Sequence, residues 1–176
     1  MANTKLDLRP PLAAILILLL GLGFVIYDTL REKVTQVGDT APDFAITTES
    51  GKKLTRADFG GKILMLNFWA TWCPPCIEET PRLNVLQEEL AKDGVVILGI
   101  SVDKNEKPYK KFLERMRVKF ATSRDPEARI SASYGTFKFP ETYIINSSGK
   151  VLAKYEGEPS STWLDPKVLE QIRSMK

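Results

Sequence analysis

The sequence predicts an α/β domain built on a mixed β-sheet, preceded by one N-terminal apolar helix. Two apolar, β-branched runs at 63–69 and 95–102 are separated by a segment in which apolar residues recur at helical spacing. Two later runs, 139–145 and 150–155, are joined by the short turn sequence Asn146-Ser147-Ser148-Gly149. Strand–helix–strand order indicates parallel pairing and the tight turn indicates antiparallel pairing, so the sheet is expected to be mixed.

The composition excludes several functions. The chain of 176 residues has 25 Lys and Arg against 22 Asp and Glu, a net charge of +3 that is too small to predict a nucleic-acid partner. Histidine is absent, which removes Ser/His and Cys/His nucleophilic pairs and imidazole metal ligands. We therefore expect neither a metal nor another cofactor.

The segment 10–27 contains no charged side chain. As a helix it would be about 27 Å long, close to the ~30 Å hydrocarbon core of a bilayer, so it predicts a retained transmembrane anchor. A cleaved secretory signal, with Lys5 and Arg9 as its basic end, is the first alternative, although no small-x-small pattern follows Tyr27. A buried globular helix is the second.

Basic residues flank the apolar segment on both sides, with Lys5 and Arg9 before it and Arg31 and Lys33 after it. Counted with the charged amino terminus, positive charge is slightly greater before the segment than after it, which favours a cytoplasmic N-terminus. We therefore expect a single-pass cell-membrane protein whose domain lies on the extracytoplasmic side, where disulfides persist. Residues 1–31 would form the cytoplasmic tip and anchor, and residues 32–176 the catalytic domain.

The remaining elements of the domain are predicted from turn residues and periodicity. A strand is expected to open at 41–44 and, after the turn at 49–52, to be followed by a second strand at 53–55, which together make an N-terminal hairpin. The other expected elements are a short strand at 119–122 and helices from the cysteine pair to residue 93, at 108–117, at 126–134 and from residue 166.

Both cysteines of the chain, Cys73 and Cys76, directly follow the apolar strand at 63–69, where a helix should begin. The unpaired N–H groups and positive dipole of a helix N-terminus favour a thiolate, so Cys73, the outer residue, is the expected nucleophile. Cys76 lies one turn further in and can resolve a mixed disulfide. A zinc site would lack two ligands. The pair therefore predicts a redox-active disulfide.

Three segments carry a resemblance to a known group: Asn67-Phe68-Trp69-Ala70-Thr71-Trp72-Cys73-Pro74-Pro75-Cys76, Ala41-Pro42-Asp43-Phe44 and Phe139-Pro140-Glu141-Thr142. Over roughly 37–174 the chain resembles the membrane-tethered thioredoxin-like proteins of the TlpA/ResA/CcmG group. The resemblance implies a thioredoxin-like fold with an N-terminal β-hairpin extension and a central αβ insertion. It also implies an extracytoplasmic disulfide reductase whose clients are apocytochromes c, as in cytochrome c biogenesis, and which receives electrons from a membrane thiol transporter of the CcdA or DsbD kind.

The same resemblance implies a set of substrate-binding residues: Trp72, Pro74, Pro75, Phe139 and Pro140. Pro140 would be a cis proline that faces the cysteines and lets its backbone bind an extended client peptide, although a proline at a strand start is ordinary in itself. Trp72 would shield Cys73 and offer clients an apolar contact, whereas Trp69 is more typical of a core.

Glu79 follows Cys76 by three residues, so the two share a helix face. An acid near a helix start often only complements the dipole. By the resemblance, Glu79 is instead the catalytic proton acceptor for Cys76, provided that burial raises its pKa. Soluble thioredoxins keep a buried acid at the position of Asn67, which is an amide here.

Pro74 and Pro75 have no N–H to stabilise a Cys73 thiolate. A less stabilised thiolate is a better electron donor, so we expect a reductant near the about −270 mV of thioredoxin rather than the about −120 mV of DsbA.

Two alternatives remain. A peroxiredoxin-like thiol peroxidase normally uses a Thr-x-x-Cys nucleophile, whereas Thr71 stands two residues before Cys73. A non-enzymatic copper-handling chaperone needs a histidine beside the thiolates, and the sequence has none. The specific client and electron donor are left open by the sequence.

Overall fold

The computed structural model describes residues 9–30, 34–157 and 163–175, with the side chains of the first helix described over 13–26. The chain divides into two units between residues 33 and 34. The first unit contains helix α1, Arg9–Leu30. Within the described residues, no helix is long and apolar enough to cross a membrane. The anchor expected from the sequence stays a prediction.

The second unit begins with an antiparallel hairpin of β1, Ala45–Thr47, and β2, Lys53–Thr55, followed by a 3-10 turn at Arg56–Phe59. Five further strands form the main sheet: β3 Ile63–Trp69, β4 Val95–Ser101, β5 Ala121–Arg124, β6 Glu141–Ile145 and β7 Val151–Glu156. Four helices accompany them: α2 Pro74–Ala91, α3 Glu106–Met116, α4 Arg129–Tyr134 and α5 Pro166–Ser174.

The main sheet is mixed, with strand order β5-β4-β3-β6-β7. Strand β3 is central and runs parallel to β4 but antiparallel to β6. All seven residues of β3 are buried, which explains its unbroken apolar pattern. The predicted α/β class with a mixed sheet is confirmed, and α3 with β5 supplies the αβ insertion between β4 and α4.

Alternate residues of β3 face two different parts of the core. Leu64, Leu66 and Phe68 pack with the hairpin and α4. Ile63 and Met65 pack with α2 and α5. Because side chains alternate along a strand, the polar residue Asn67 also faces α2, the helix that begins with the cysteine pair.

Some predicted element starts differ from those in the structure. No strand forms at 41–44, because this stretch pairs with the distant β6–β7 turn: the Ala41 N–H donates to the Gly149 carbonyl at 2.8 Å. Helix α4 begins at Arg129 rather than at 126. The Asp125 carboxylate accepts the N–H groups of Arg129 and Ile130, at 3.0 and 2.8 Å, and so caps the first turn.

The strand expected at 119–122 is also displaced, to Ala121–Arg124. The Lys119 N–H is bound at 2.8 Å by the side-chain oxygen of Asn84 on α2 instead of entering the sheet ladder.

Candidate active site

The two cysteines lie at the N-terminus of α2 and form a disulfide, with their Cα atoms 5.3 Å apart. Cys73 is the N-cap residue of the helix, and Pro74 is its first residue. Proline is tolerated there because the first N–H groups of a helix have no intrahelical partner. The structure confirms the predicted position of the pair at a helix start.

The two sulfurs differ in accessibility and in backbone contacts. Cys73 is 5% exposed and Cys76 is 1% exposed, so Cys73 is the outer residue, although little of it reaches solvent. The N–H of Cys76 donates to Cys73 Sγ at 3.3 Å. Pro74 and Pro75 supply no donor, but one backbone N–H and the helix dipole remain available to a Cys73 thiolate.

The loop before Cys73 is held by a buried carboxylate that the sequence did not indicate. Asp103 accepts the N–H and the hydroxyl of Thr71 at 2.9 and 2.7 Å, and the hydroxyl of Ser101 at 2.6 Å. Asp103 itself is 3% exposed. These three bonds tie the loop that carries Cys73 to the end of β4.

Glu79 is buried with a hydrogen bond on each carboxyl oxygen. It is 1% exposed. Asn67 Nδ2 donates to Oε1 at 2.7 Å, and Trp163 Nε1 donates to Oε2 at 3.1 Å. Asn67 also donates to the Thr142 hydroxyl at 2.9 Å, which ties the site to β6.

Burial raises the pKa of Glu79 from 4.5 to about 7, and the hydrogen bonds from Trp163 and Asn67 act in the opposite direction. Glu79 therefore has the raised pKa that a proton acceptor for Cys76 needs. A carboxyl that titrates near neutrality can both accept and return a proton at physiological pH.

Aromatic and proline residues lie close to the disulfide. The Trp72 side chain is 64% exposed, and its ring contacts Phe139 edge-on with centroids 6.1 Å apart. Phe139 packs in turn against the cluster that contains both cysteines. The Phe139–Pro140 peptide bond is cis, as the resemblance implied. Trp69 is 2% exposed and belongs to the core, as expected.

A cavity of about 370 Å³ lies beside the Cys73 loop. It lies between the loop and helix α3 and is lined by Thr71, Pro108, Lys111, Phe112 and Arg115. In the described part of the chain, no group of three or more His, Cys, Asp or Glu side chains is placed to hold a metal ion.

The strand that follows Pro140 begins with a buried charge. Glu141 is 3% exposed, accepts a hydrogen bond from the Tyr143 hydroxyl and forms an ion pair with Lys154 Nζ at 2.9 Å. Lys154 also pairs with Glu156 at 2.7 Å. These contacts join β6 to β7 directly after the cis proline.

Three features together define a thioredoxin-like redox protein: a central mixed sheet, a disulfide-forming Cys-x-x-Cys at the start of the helix after its middle strand, and a cis Phe139–Pro140 bond whose Phe139 packs against the cysteine cluster. Comparison with known proteins specifies the group further. The sequence matches the AhpC/TSA family over residues 37–154.

Two relatives cover most of the chain. It is 34% identical over 154 residues to the thiol-disulfide oxidoreductase ResA of Bacillus thuringiensis subsp. konkukian, covering 86% of this chain and 89% of the relative. It is 37% identical over 139 residues to ResA of Geobacillus thermodenitrificans, covering 78% and 80%. The crystal structure of a thiol:disulfide interchange protein of Chlorobium tepidum matches with a TM-score of 0.67 and 26% identity, covering 80% of this chain and 99% of that one. The chain therefore belongs to the AhpC/TSA family and, by these relatives, to the ResA-type thiol-disulfide oxidoreductases.

The sequence predicted Cys73, Cys76 and Glu79 as site residues, and the structure places all three on or next to the first turns of α2. The sequence did not predict Trp163 and Asp103. Trp163 is 84 residues from Glu79, and no local pattern connects them. The signal that could have found Asp103 is its place directly after the apolar run at 95–102, because a charged side chain there lies close to the end of the parallel strand β3.

Proposed function

We propose that this oxidoreductase is a membrane-anchored, extracytoplasmic reductase of protein disulfides, with Cys73 as nucleophile and Cys76 as resolving thiol. The observation that carries the proposal is the Cys73–Cys76 disulfide at the N-terminus of α2, with the buried carboxyl of Glu79 one turn further along the same helix. This arrangement supplies an activated sulfur, a partner that can close the disulfide, and a proton acceptor.

The reaction begins with the reduced pair. The Cys73 thiolate attacks one sulfur of a client disulfide, a new S–S bond joins Cys73 to that sulfur, and the other client sulfur leaves as a thiolate. The Cys76 thiolate then attacks Cys73 Sγ, the first client sulfur leaves, and the Cys73–Cys76 disulfide forms. Two electrons have passed from the pair to the client.

Glu79 serves the second step. Cys76 must lose its proton before it can attack, and at 1% exposure it has little access to water. The ionised fraction of Glu79, whose pKa is about 7, can take that proton inside the protein. The carboxyl becomes neutral, which removes its desolvation cost.

Client binding is supported by the surface around Cys73. Trp72 and Phe139 present aromatic surface beside the sulfur, and the Phe139–Pro140 peptide bond next to them is cis. Pro74 and Pro75, which are exposed next to Cys73, complete this proposed client surface.

Anchoring and location are supported by the sequence. The uncharged run at 10–27 has the length of a bilayer span, and an extracytoplasmic domain works where client disulfides persist. Electrons would then arrive through a membrane thiol transporter of the CcdA or DsbD type. The client class favoured by the family resemblance is the disulfide of apocytochromes c.

Reduction of insulin tests the chemistry. The full-length chain in mild detergent, supplied with dithiothreitol, is expected to accelerate precipitation of the insulin B chain, whereas Cys73→Ser is expected to be inactive. Equal rates for the two proteins would overturn the proposal. A rapid consumption of hydrogen peroxide by the reduced protein, with no insulin reduction, would favour the peroxidase alternative.

Location is tested separately in intact cells. A membrane-impermeant thiol reagent is expected to label Cys73 after mild reduction, and the chain is expected to stay with the membrane fraction. Release of the chain into the soluble fraction would contradict the anchor, and labelling only after lysis would contradict the orientation.

A further inference from the structure

The second hydrogen bond on Glu79 comes from a distant part of the chain. Trp163 precedes α5, is 1% exposed, and donates from Nε1 to Glu79 Oε2 at 3.1 Å. Its ring packs against Tyr155 of β7 with centroids 5.0 Å apart. The indole is thus locked in the core with its only polar atom on the carboxylate.

We propose that Trp163 is a positioning residue of the exchange reaction, because its indole N–H holds Oε2 of Glu79 and keeps that carboxyl able to receive the Cys76 proton. The inference rests on the proposed function, since it assigns Trp163 a role only if Glu79 takes part in the exchange.

The indole N–H only donates, so it stabilises the ionised carboxylate more than the neutral acid. Burial pushes the pKa of Glu79 upward, and Trp163 and Asn67 oppose it. Without Trp163 the pKa of the carboxyl would rise further, so a smaller fraction of Glu79 would be ionised at neutral pH and able to accept the Cys76 proton.

Among the described groups that face Glu79, none carries a charge that could take the place of this hydrogen bond. Asn67 from β3 and Trp163 are uncharged donors, and among the described side chains none forms an ion pair with Glu79. The titratable neighbours are Cys76 on the same helix and, behind Trp163, Tyr155. Burial is the largest influence on the Glu79 pKa, and no charged side chain contributes to it.

The test replaces the indole and follows the ionisation of Glu79. In the oxidised full-length protein the cysteines do not titrate, so the ¹³C signal of the Glu79 carboxyl, assigned with Glu79→Gln, reports this group alone. A net hydrogen bond to a charged group changes an equilibrium roughly tenfold or more. Trp163→Phe is therefore expected to move the titration midpoint upward by about one pH unit, and the alkaline rise of the disulfide-reduction rate with it.

Trp69→Phe is the matched control. Trp69 is also a buried tryptophan, at 2% exposed, but its Nε1 has no hydrogen-bond partner among the described residues. The same loss of ring volume should therefore leave the Glu79 midpoint in place. An unchanged midpoint in Trp163→Phe, or an equal shift in both variants, overturns the inference.

A second replacement covers the case in which Trp163→Phe does not fold. Incorporating 3-benzothienylalanine at position 163 keeps the shape of the indole but puts sulfur in place of the N–H, and the same upward shift is expected. The proposed role of Glu79 and the inferred role of Trp163 can fail separately. If Glu79→Gln leaves the exchange rate and its pH profile unchanged, the proposed role of Glu79 fails. If Glu79→Gln slows exchange while neither replacement of Trp163 moves the midpoint, only the inference about Trp163 fails.

Discussion

Replacing Glu79 by Gln should change how the stability of the oxidised protein depends on pH. Glu79 has a pKa of about 7 in the folded protein and an ordinary value of 4.5 when exposed. Between these two values the folded state holds a proton that the unfolded state has released. The stability contributed by the neutral, buried carboxyl is therefore fully present below pH 4.5 and is lost as the pH rises through 7.

The size of the effect follows from the two pKa values. A difference of 2.5 between 7 and 4.5 corresponds to about 3 kcal/mol at 1.36 kcal/mol per pKa unit. Glu79 is almost fully buried, so solvent screening does not reduce this figure greatly. The free energy of unfolding of the wild type minus that of Glu79→Gln should thus fall by about 3 kcal/mol between pH 4 and pH 8.

Urea unfolding, followed by circular dichroism at several pH values, measures this difference. Taking the difference between the two proteins removes the contribution of the other titrating groups, and keeping the disulfide closed removes that of the cysteines. Glu78→Gln is the matched control, because Glu78 is the exposed neighbour on the same helix and lacks the burial on which the prediction depends. A flat difference for Glu79→Gln as well would refute the reasoning about its buried carboxyl.

Three other predictions concern the redox couple, the client surface and the sheet. The Cys73–Cys76 couple, equilibrated with glutathione buffers, should have a potential nearer to about −270 mV than to about −120 mV, and a value above roughly −180 mV would contradict the assignment as a reductant. Trp72→Ala should raise the KM for insulin several-fold and leave the reduction of hydroxyethyl disulfide unchanged, since the ring is 64% exposed next to Cys73 and is proposed to contact protein clients. Equal losses on both substrates would count against a client contact. Lys154→Met should lower the free energy of unfolding by about 3–5 kcal/mol because it leaves Glu141 buried without its ion-pair partner. A urea midpoint equal to that of the wild type would show that Glu141 does not need that partner.

The elements that depend on local pattern were predicted well. The run at 63–69 became β3 with the same bounds, and the turn at 146–149 joins β6 to β7. Both signals are short-range: a continuous β-branched run for a strand buried on both faces, and Asn and Gly at turn positions. The strand start expected at 41–44 was wrong: Ala41 pairs with Gly149, more than 100 residues away, and β1 begins only at Ala45.

In the candidate site, too, residues related by local spacing were predicted and residues placed by distant contacts were not. The spacing of Cys73, Cys76 and Glu79 within one helix could be read directly, because residues three apart share a face. Asn67 was recognised as an amide in place of an acid, but its bond to Glu79 depends on the packing of α2 on β3. Trp163 and Asp103 reach the site through tertiary contacts across 84 and 32 residues, which periodicity does not encode.

The central claim is that the sulfur of Cys73 attacks the client disulfide and that of Cys76 releases it. The most direct measurement compares reduced Cys76→Ala with reduced Cys73→Ala after each is mixed with a protein disulfide, with the adducts mapped by mass spectrometry. Cys76→Ala should accumulate a mixed disulfide through Cys73, and Cys73→Ala should accumulate none. An adduct through Cys76 in Cys73→Ala, with none in Cys76→Ala, would contradict the assignment of the two roles.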